Sequence, residues 1–152
     1  TLRELGLDTT GLRLMDGSGL SRDDRLTPRL LTGLLAEGLD TEEHPEFESF
    51  LDSLPVGGRT GTLSASTGRF TTSPSKCAAG QVFAKTGTLF DTIGLSGYTK
   101  GEDGELKIFS ALVNDRPQSY SPLSTRQAVD GIVATINGCW GPTKKTGQPP
   151  AG

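Results

Sequence analysis

The chain has 152 residues and a net charge of −3, which allows one domain with a core and lacks the basic surplus of a nucleic-acid-binding protein. No apolar run is long enough to cross a bilayer and no signal-peptide pattern opens the sequence. Two cysteines, Cys77 and Cys139, occur without a CxxC or a Cys/His cluster, which excludes a zinc site.

Only 33% of the residues are apolar and 21 are glycine, a thin core for this length. Two explanations fit: a loop-rich domain, or part of a larger fold that buries a face against sequence outside the chain. The second is expected, because several segments look cut short and Thr1 is not an initiator residue. The cysteines also leave two readings. A bridge between them implies an oxidising compartment, and the alternative is a pair of buried thiols.

In chain order, residues 1–8 read as the end of a helix closed by Gly6, and residues 12–15 as a short strand. Residues 16–24, Asp-Gly-Ser-Gly-Leu-Ser-Arg-Asp-Asp, form a polar, turn-rich loop. Thr27-Pro28 starts a helix with an N-cap and a proline at the first position. Leu30, Leu31, Leu34 and Leu35 form its apolar face, and Gly38 is expected to end it. After an acidic connection, residues 46–54 read as a second short helix with Phe47, Phe50, Leu51 and Leu54 on one face. Residues 55–61 are a turn, 62–67 are ambiguous, and 68–80 are expected to be an exposed loop.

A strand follows from Val82, then strands over 92–99 and 105–114 joined by the hairpin loop 100–104. The last helix covers 124–137, with Ala128, Val129, Ile132, Val133 and Ile136 on its buried face and Gly138 closing it. From residue 141 the composition predicts a disordered tail. The whole is an α+β pattern, an antiparallel sheet flanked by helices, with residues 1–140 as the folded portion and 141–152 as the tail.

The chemistry concentrates in Gln81-Val82-Phe83-Ala84-Lys85-Thr86-Gly87-Thr88-Leu89. A buried apolar strand changes at Lys85 to a cation, two hydroxyls and a glycine. Gly87 lets another backbone lie close, Lys85 supplies a point charge, and Thr86 and Thr88 share a face at strand spacing. Such an edge suits an extended peptide ending in a carboxylate, bound by strand addition. A second Lys-Thr-Gly, at residues 145–147, runs into Gln-Pro-Pro-Ala-Gly with no strand pattern and is read as chance.

Other chemistries are excluded. The sole histidine, His44, lies in the acidic connection and reads as a surface residue, so a Ser-His-Asp triad has no histidine to use. There is no phosphate-binding loop, and no cofactor is implied. Lysine-assisted serine chemistry remains. Ser73-Pro74-Ser75-Lys76 spells Ser-x-x-Lys, but it sits in a polar loop only nine residues before Lys85.

Ala84-Lys85-Thr86-Gly87-Thr88-Leu89, preceded by Asp16-Gly17-Ser18-Gly19-Leu20-Ser21-Arg22 and by Leu54-Pro55-Val56-Gly57-Gly58-Arg59-Thr60-Gly61-Thr62-Leu63, resembles the D-Ala-D-Ala carboxypeptidases of peptidase family S13, the low-molecular-mass penicillin-binding proteins. The likeness runs from about residue 2 to residue 136. It implies a penicillin-recognising (β-lactamase/transpeptidase-like) fold and a serine acyl-transfer enzyme, with carboxypeptidase and DD-endopeptidase activity both within its range. The partners implied are peptidoglycan stem peptides ending in D-Ala-D-Ala, β-lactams and the N-terminal portion of the same enzyme. That portion would carry the Ser-x-x-Lys nucleophile motif and the Ser-x-Asn motif, which lie upstream of the Asp-Gly-Ser-Gly segment in the family. By that order Ser73 is not the nucleophile, and the chain alone is expected to be inactive.

The resemblance also implies roles. Lys85 keeps the site electropositive. Thr86, Gly87, Thr88 and Leu89 bind substrate, and the Thr88 N–H forms half of the oxyanion hole. Leu20 and Arg22 line a pocket for the stem-peptide side chain, Arg22 pairing either with a substrate carboxylate or with Asp23 and Asp24. Asp24 stands where the family often has Asn. An exported protein of the cell envelope or periplasm is implied, which favours a Cys77–Cys139 disulfide. The alternative is a non-catalytic peptidoglycan-binding module of the same fold; a β-lactamase is disfavoured by the Asp-Gly-Ser-Gly-Leu-Ser segment.

Overall fold

The computed structural model describes residues 2–101 and 103–141. Three antiparallel strands, β1 (Val82–Thr88), β2 (Ile93–Lys100) and β3 (Leu106–Val113), form one sheet in the order β1-β2-β3. Alternation puts Val82, Ala84, Leu95 and Phe109 on one face, where α3 (Pro122–Asn137) covers them with Val129, Val133 and Ala134. The first helix, α1 (Pro28–Leu39), lies against β2 and β3 on the other face. At Gly97 an added Cβ would stand 2.1 Å from the Phe83 carbonyl oxygen, so β1 and β2 approach as closely as they do because this position is glycine.

α1 starts as its sequence predicts, whereas α3 starts at Pro122, two residues before the expected start at Ser124. The Thr27 hydroxyl accepts from Leu30 N–H at 3.1 Å, and the Ser121 hydroxyl from Ser124 N–H at 3.0 Å, each followed by proline at the first helical position. Gly38 does not end α1. It lies inside the helix, buried against the Phe47 ring, and the helix runs one residue further to Leu39. The second helix is shorter than expected: a 3-10 turn over Pro45–Phe47 leads into α2 (Glu48–Asp52). Leu51 and Leu54 are buried, whereas Phe50 is exposed.

Other expectations need correction. Residues 2–6 form turns, not the end of a helix. Residues 12–15 make a single bridge, Arg13 with Arg25, and not a strand. Ala128 and Ile132 are exposed on α3; the buried face turns instead through Asp130 and Asn137. The 68–80 segment is not an exposed loop. Arg69, Phe70, Ser75 and Ala78 are all buried, and the segment packs on α3. The sequence hid this because the packing is stapled by polar groups. Asp130 accepts from Arg69 Nε at 2.8 Å and Nη2 at 2.5 Å and from Phe70 N–H at 3.4 Å. The tail beyond Gly141, with its Lys-Thr-Gly copy, lies outside the described residues.

Cys77, at the end of that segment, and Cys139, just past α3, form a disulfide with Cα atoms 5.9 Å apart. It closes a loop of 62 residues that contains the whole sheet and α3. Cross-links of this kind stabilise by about 2–4 kcal/mol, mostly through the unfolded chain. Thiol titration of the denatured, unreduced protein should find neither cysteine reactive; two reactive thiols per chain would show that the bridge does not form in solution.

The ion pair makes a second test. Arg69 and Asp130 are 2% and 0% exposed. Removing the carboxylate leaves a buried guanidinium without a counter-charge, which typically costs about 3–5 kcal/mol. Asp130→Ala should therefore lower the urea midpoint sharply, whereas Asp23→Ala on the exposed loop should barely move it. Similar midpoints for the two variants would mean that the pair is not an anchor.

Candidate active site

β1 is an edge strand, and its outer edge is covered over only part of its length. The Ala84 N–H donates to the Pro55 carbonyl at 3.0 Å, and the Val82 carbonyl accepts from Gly57 N–H at 2.8 Å. In an antiparallel strand, backbone groups of alternate residues point the same way. The N–H and C=O groups of Thr86 and Thr88 therefore point to this same outer edge, beyond the stretch that residues 55–57 cover. By the same alternation, Lys85 and Gly87 turn their backbone groups toward β2.

The side chains at this open half-edge are polar and close together. The Thr86 hydroxyl lies 2.8 Å from the Thr62 hydroxyl, on the 3-10 turn Gly61–Leu63. Lys85 Nζ donates to the Thr86 carbonyl at 2.8 Å. Among the described residues Lys85 pairs with no carboxylate, so its charge stays available to an incoming anion. Among the described residues, a Cβ at Gly87 would meet nothing beyond its chain neighbours nearer than 4.0 Å, so the space beside it is open. Thr62 carried no role in the sequence reading, although it lies in the second of the matching segments. What shows its importance is a contact 24 residues away in sequence.

Past Thr88 the chain turns. Leu89 N–H donates to the Thr92 carbonyl at 2.8 Å, and Phe90 and Asp91 form the bend. Two further elements pin this bend. Arg116 N–H donates to the Asp91 carbonyl at 2.9 Å, and the Arg116 guanidinium, 5% exposed, donates to the Phe90 carbonyl at 2.7 Å. Arg22 comes from the 16–24 loop and donates to both carboxylate oxygens of Asp91, at 3.0 and 2.7 Å.

Arg22 thus has a partner other than those expected: neither Asp23 nor Asp24 but Asp91, 69 residues along the chain. The pair holds Asp91 below the usual carboxylate range and pushes Arg22 up, the hydrogen bonds being the main cause in both. Leu20, on the same loop, is 65% exposed. Asp16 shapes the loop. Partial desolvation pulls its pKa up, but donation from Gly19 N–H, the Ser18 hydroxyl and Ser21 N–H outweighs this and leaves it lowered. Asp24 accepts from Met15 N–H at 2.7 Å through one oxygen, a bond that the amide oxygen of Asn could equally make.

Other chemical candidates lie elsewhere. Ser73 and Lys76 belong to the segment packed on α3, beside the disulfide, and the Ser75 hydroxyl is buried on the Thr72 carbonyl. His44 is not a plain surface residue. Its ring sits edge-on to Phe47, 3.4 Å from Glu37 and 3.4 Å from Glu46, and joins α1 to the second helical segment.

The sequence model of the D-Ala-D-Ala carboxypeptidase 3 (S13) family matches residues 1–136. Carboxypeptidase DacB of Mycolicibacterium smegmatis is 34% identical over 91% of this chain. The D-alanyl-D-alanine carboxypeptidase of Actinomadura sp. strain R39 is 38% identical over 84%. The chain spans 28% and 23% of the lengths of these two relatives. Among solved structures, penicillin binding protein 4 of Haemophilus influenzae, complexed with a β-lactam, superposes with a TM-score of 0.73 at 23% identity, covering 89% of this chain and 30% of that one. That likeness bears on the fold alone, an α+β penicillin-recognising one. A family match over nearly all of the folded part, together with relatives at a third identity or more, makes the chain a member of the D-Ala-D-Ala carboxypeptidase 3 (S13) family.

Proposed function

We propose that this chain is the substrate-strand portion of a serine-type D-Ala-D-Ala carboxypeptidase that trims peptidoglycan stem peptides and is acylated by penicillins. The observation that carries the reading is the half-covered edge of β1. Residues 55–57 occupy it as far as Ala84, and it opens at Thr86, beside an ammonium with no carboxylate partner in the described chain. A peptide laid antiparallel along the open half places its terminal carboxylate near Lys85 and the Thr86 hydroxyl. Its scissile carbonyl then reaches the Thr88 N–H.

The attacking serine and its lysine base belong to sequence outside this chain. As the serine oxygen adds to the carbonyl carbon, negative charge grows on the carbonyl oxygen, where the Thr88 amide and the serine's own amide stabilise it. The peptide C–N bond then breaks, D-alanine leaves with a proton, and water releases the acyl group. A penicillin presents a carboxylate and a strained amide in the same relation, which supports acylation by the same route. Peptidoglycan lies outside the cytoplasmic membrane, so the site of action is the cell envelope, where a disulfide such as Cys77–Cys139 persists.

Acylation of the full-length protein by a labelled penicillin tests this. Lys85→Ala should cut the second-order rate by about 10²–10³, the usual cost of losing one oriented electrostatic interaction in such a site. Lys76→Ala, the exposed lysine of the stray Ser-x-x-Lys, should leave it unchanged. Equal rates for the two variants would mean that β1 is not the active strand.

A further inference from the structure

At its start the 68–80 segment is held to α3 by the buried Arg69–Asp130 pair. Toward its end it is held by Cys77–Cys139, and this tie is not buried: Cys77 is exposed and Cys139 half-buried. Beside the bridge lies a cavity of about 430 Å³ lined by Ser73, Pro74, Lys76, Cys77 and Trp140. Among the described residues no carboxylate pairs with the exposed Lys76, so its ammonium attracts an incoming thiolate. Exposed bridges are the ones that exchange with thiols, whereas buried ones resist.

Three residues beyond Cys77 the chain reaches the cover of β1. Gly80 N–H donates to the Gly57 carbonyl at 2.8 Å, and Gly57 N–H donates in turn to the Val82 carbonyl at 2.8 Å. The Ala79 methyl packs at Gly58, 3.0 Å from where a Cβ would stand. Opening the bridge frees the Ser75–Ala78 turn from Cys139 but leaves the Arg69–Asp130 pair and the buried Ala78 in place. The loosening is therefore local, and it falls on the residues that seat the cover.

We propose that Cys77–Cys139 is a thiol–disulfide exchange site for a dithiol reductant, and that its reduction loosens the 55–57 cover of β1 and slows acylation. A thiolate of the reductant bonds to the Cys77 sulfur, the more exposed of the two. The Cys77–Cys139 bond breaks, and Cys139 leaves as a thiolate that takes a proton. The second thiol of the reductant then displaces Cys77, so the reductant ends as a disulfide and the protein as two thiols. The effect on acylation rests on the carboxypeptidase reading above; the loosening does not.

The test uses the full-length protein, folded, with dithiothreitol as the dithiol. Thiol counts should rise by two as Cys77 and Cys139 open, assigned by alkylation and mass spectrometry. Hydrogen exchange at the Gly57 and Gly80 amides should speed up by about tenfold, while the amides of β2 stay unchanged, as expected for a local opening. The second-order rate of acylation by a labelled penicillin should fall by about tenfold, within what a misplaced binding edge costs. Reoxidation should restore both. The double variant Cys77→Ser, Cys139→Ser should behave as the reduced protein and ignore dithiothreitol. A bridge that opens only after denaturation would overturn the proposal. So would unchanged exchange at Gly57 and Gly80, exchange that rises equally throughout β2, or an acylation rate that does not respond. Oxidised protein that no penicillin acylates would overturn the carboxypeptidase reading and the effect on rate with it, while the exchange measurements still decide the loosening.

Discussion

The constraint on which the site depends is that the outer edge of β1 is satisfied over one half and open over the other. An edge strand with unpaired backbone groups is an aggregation hazard, and proteins limit it by covering the edge or charging it. Here both devices meet. Residues 55–57 cover Val82 and Ala84, and Lys85 sets a positive charge where the cover ends. The open stretch is left short, polar and specific, which is what strand addition of a peptide needs.

That edge is only as well placed as the layers behind it. Val82 and Ala84 anchor β1 in the core under α3, and the tight β1–β2 approach at Gly97 fixes its distance from the sheet. On the far side of α3, the 68–80 segment is tied by the Arg69–Asp130 pair and the disulfide. The segment also reaches the strand edge indirectly, since Gly80 N–H donates to the Gly57 carbonyl at 2.8 Å. A charge pair buried behind the sheet thus helps to seat the cover that defines where the edge opens.

The other end of the site is built by convergence. The 16–24 loop folds around Asp16, the bend after β1 is pinned by Arg116, and Arg22 joins the two through Asp91. Each component is ordinary: a carboxylate-capped turn, a buried guanidinium on carbonyls, an exposed ion pair. Together they tie the 16–24 loop to the bend that follows Thr88, and Leu20 and Phe90 on these two elements are largely exposed.

Much of this was legible in the sequence, for physical reasons. The three strands and two long helices follow from local terms: alternation, apolar periodicity and the Thr27-Pro28 start; the Ser121-Pro122 start of α3 emerged only in the structure. Lys85 to Thr88 stood out because a cation and hydroxyls interrupt an apolar strand, and the joint order of the matching segments pointed to the family. The tertiary structure decided the rest, because those contacts join residues far apart in the chain and leave no periodic trace. Thr62 meets Thr86, Arg22 meets Asp91 and Arg69 meets Asp130 across separations of 24, 69 and 61 residues. Composition alone made residues 68–80 look like a solvated loop, since it registers a charged residue but not the opposite charge that folding brings to it. Likewise, local pattern could name Thr88 as a strand residue, but only the pairing of Ala84 with Pro55 decided which of its edges is free.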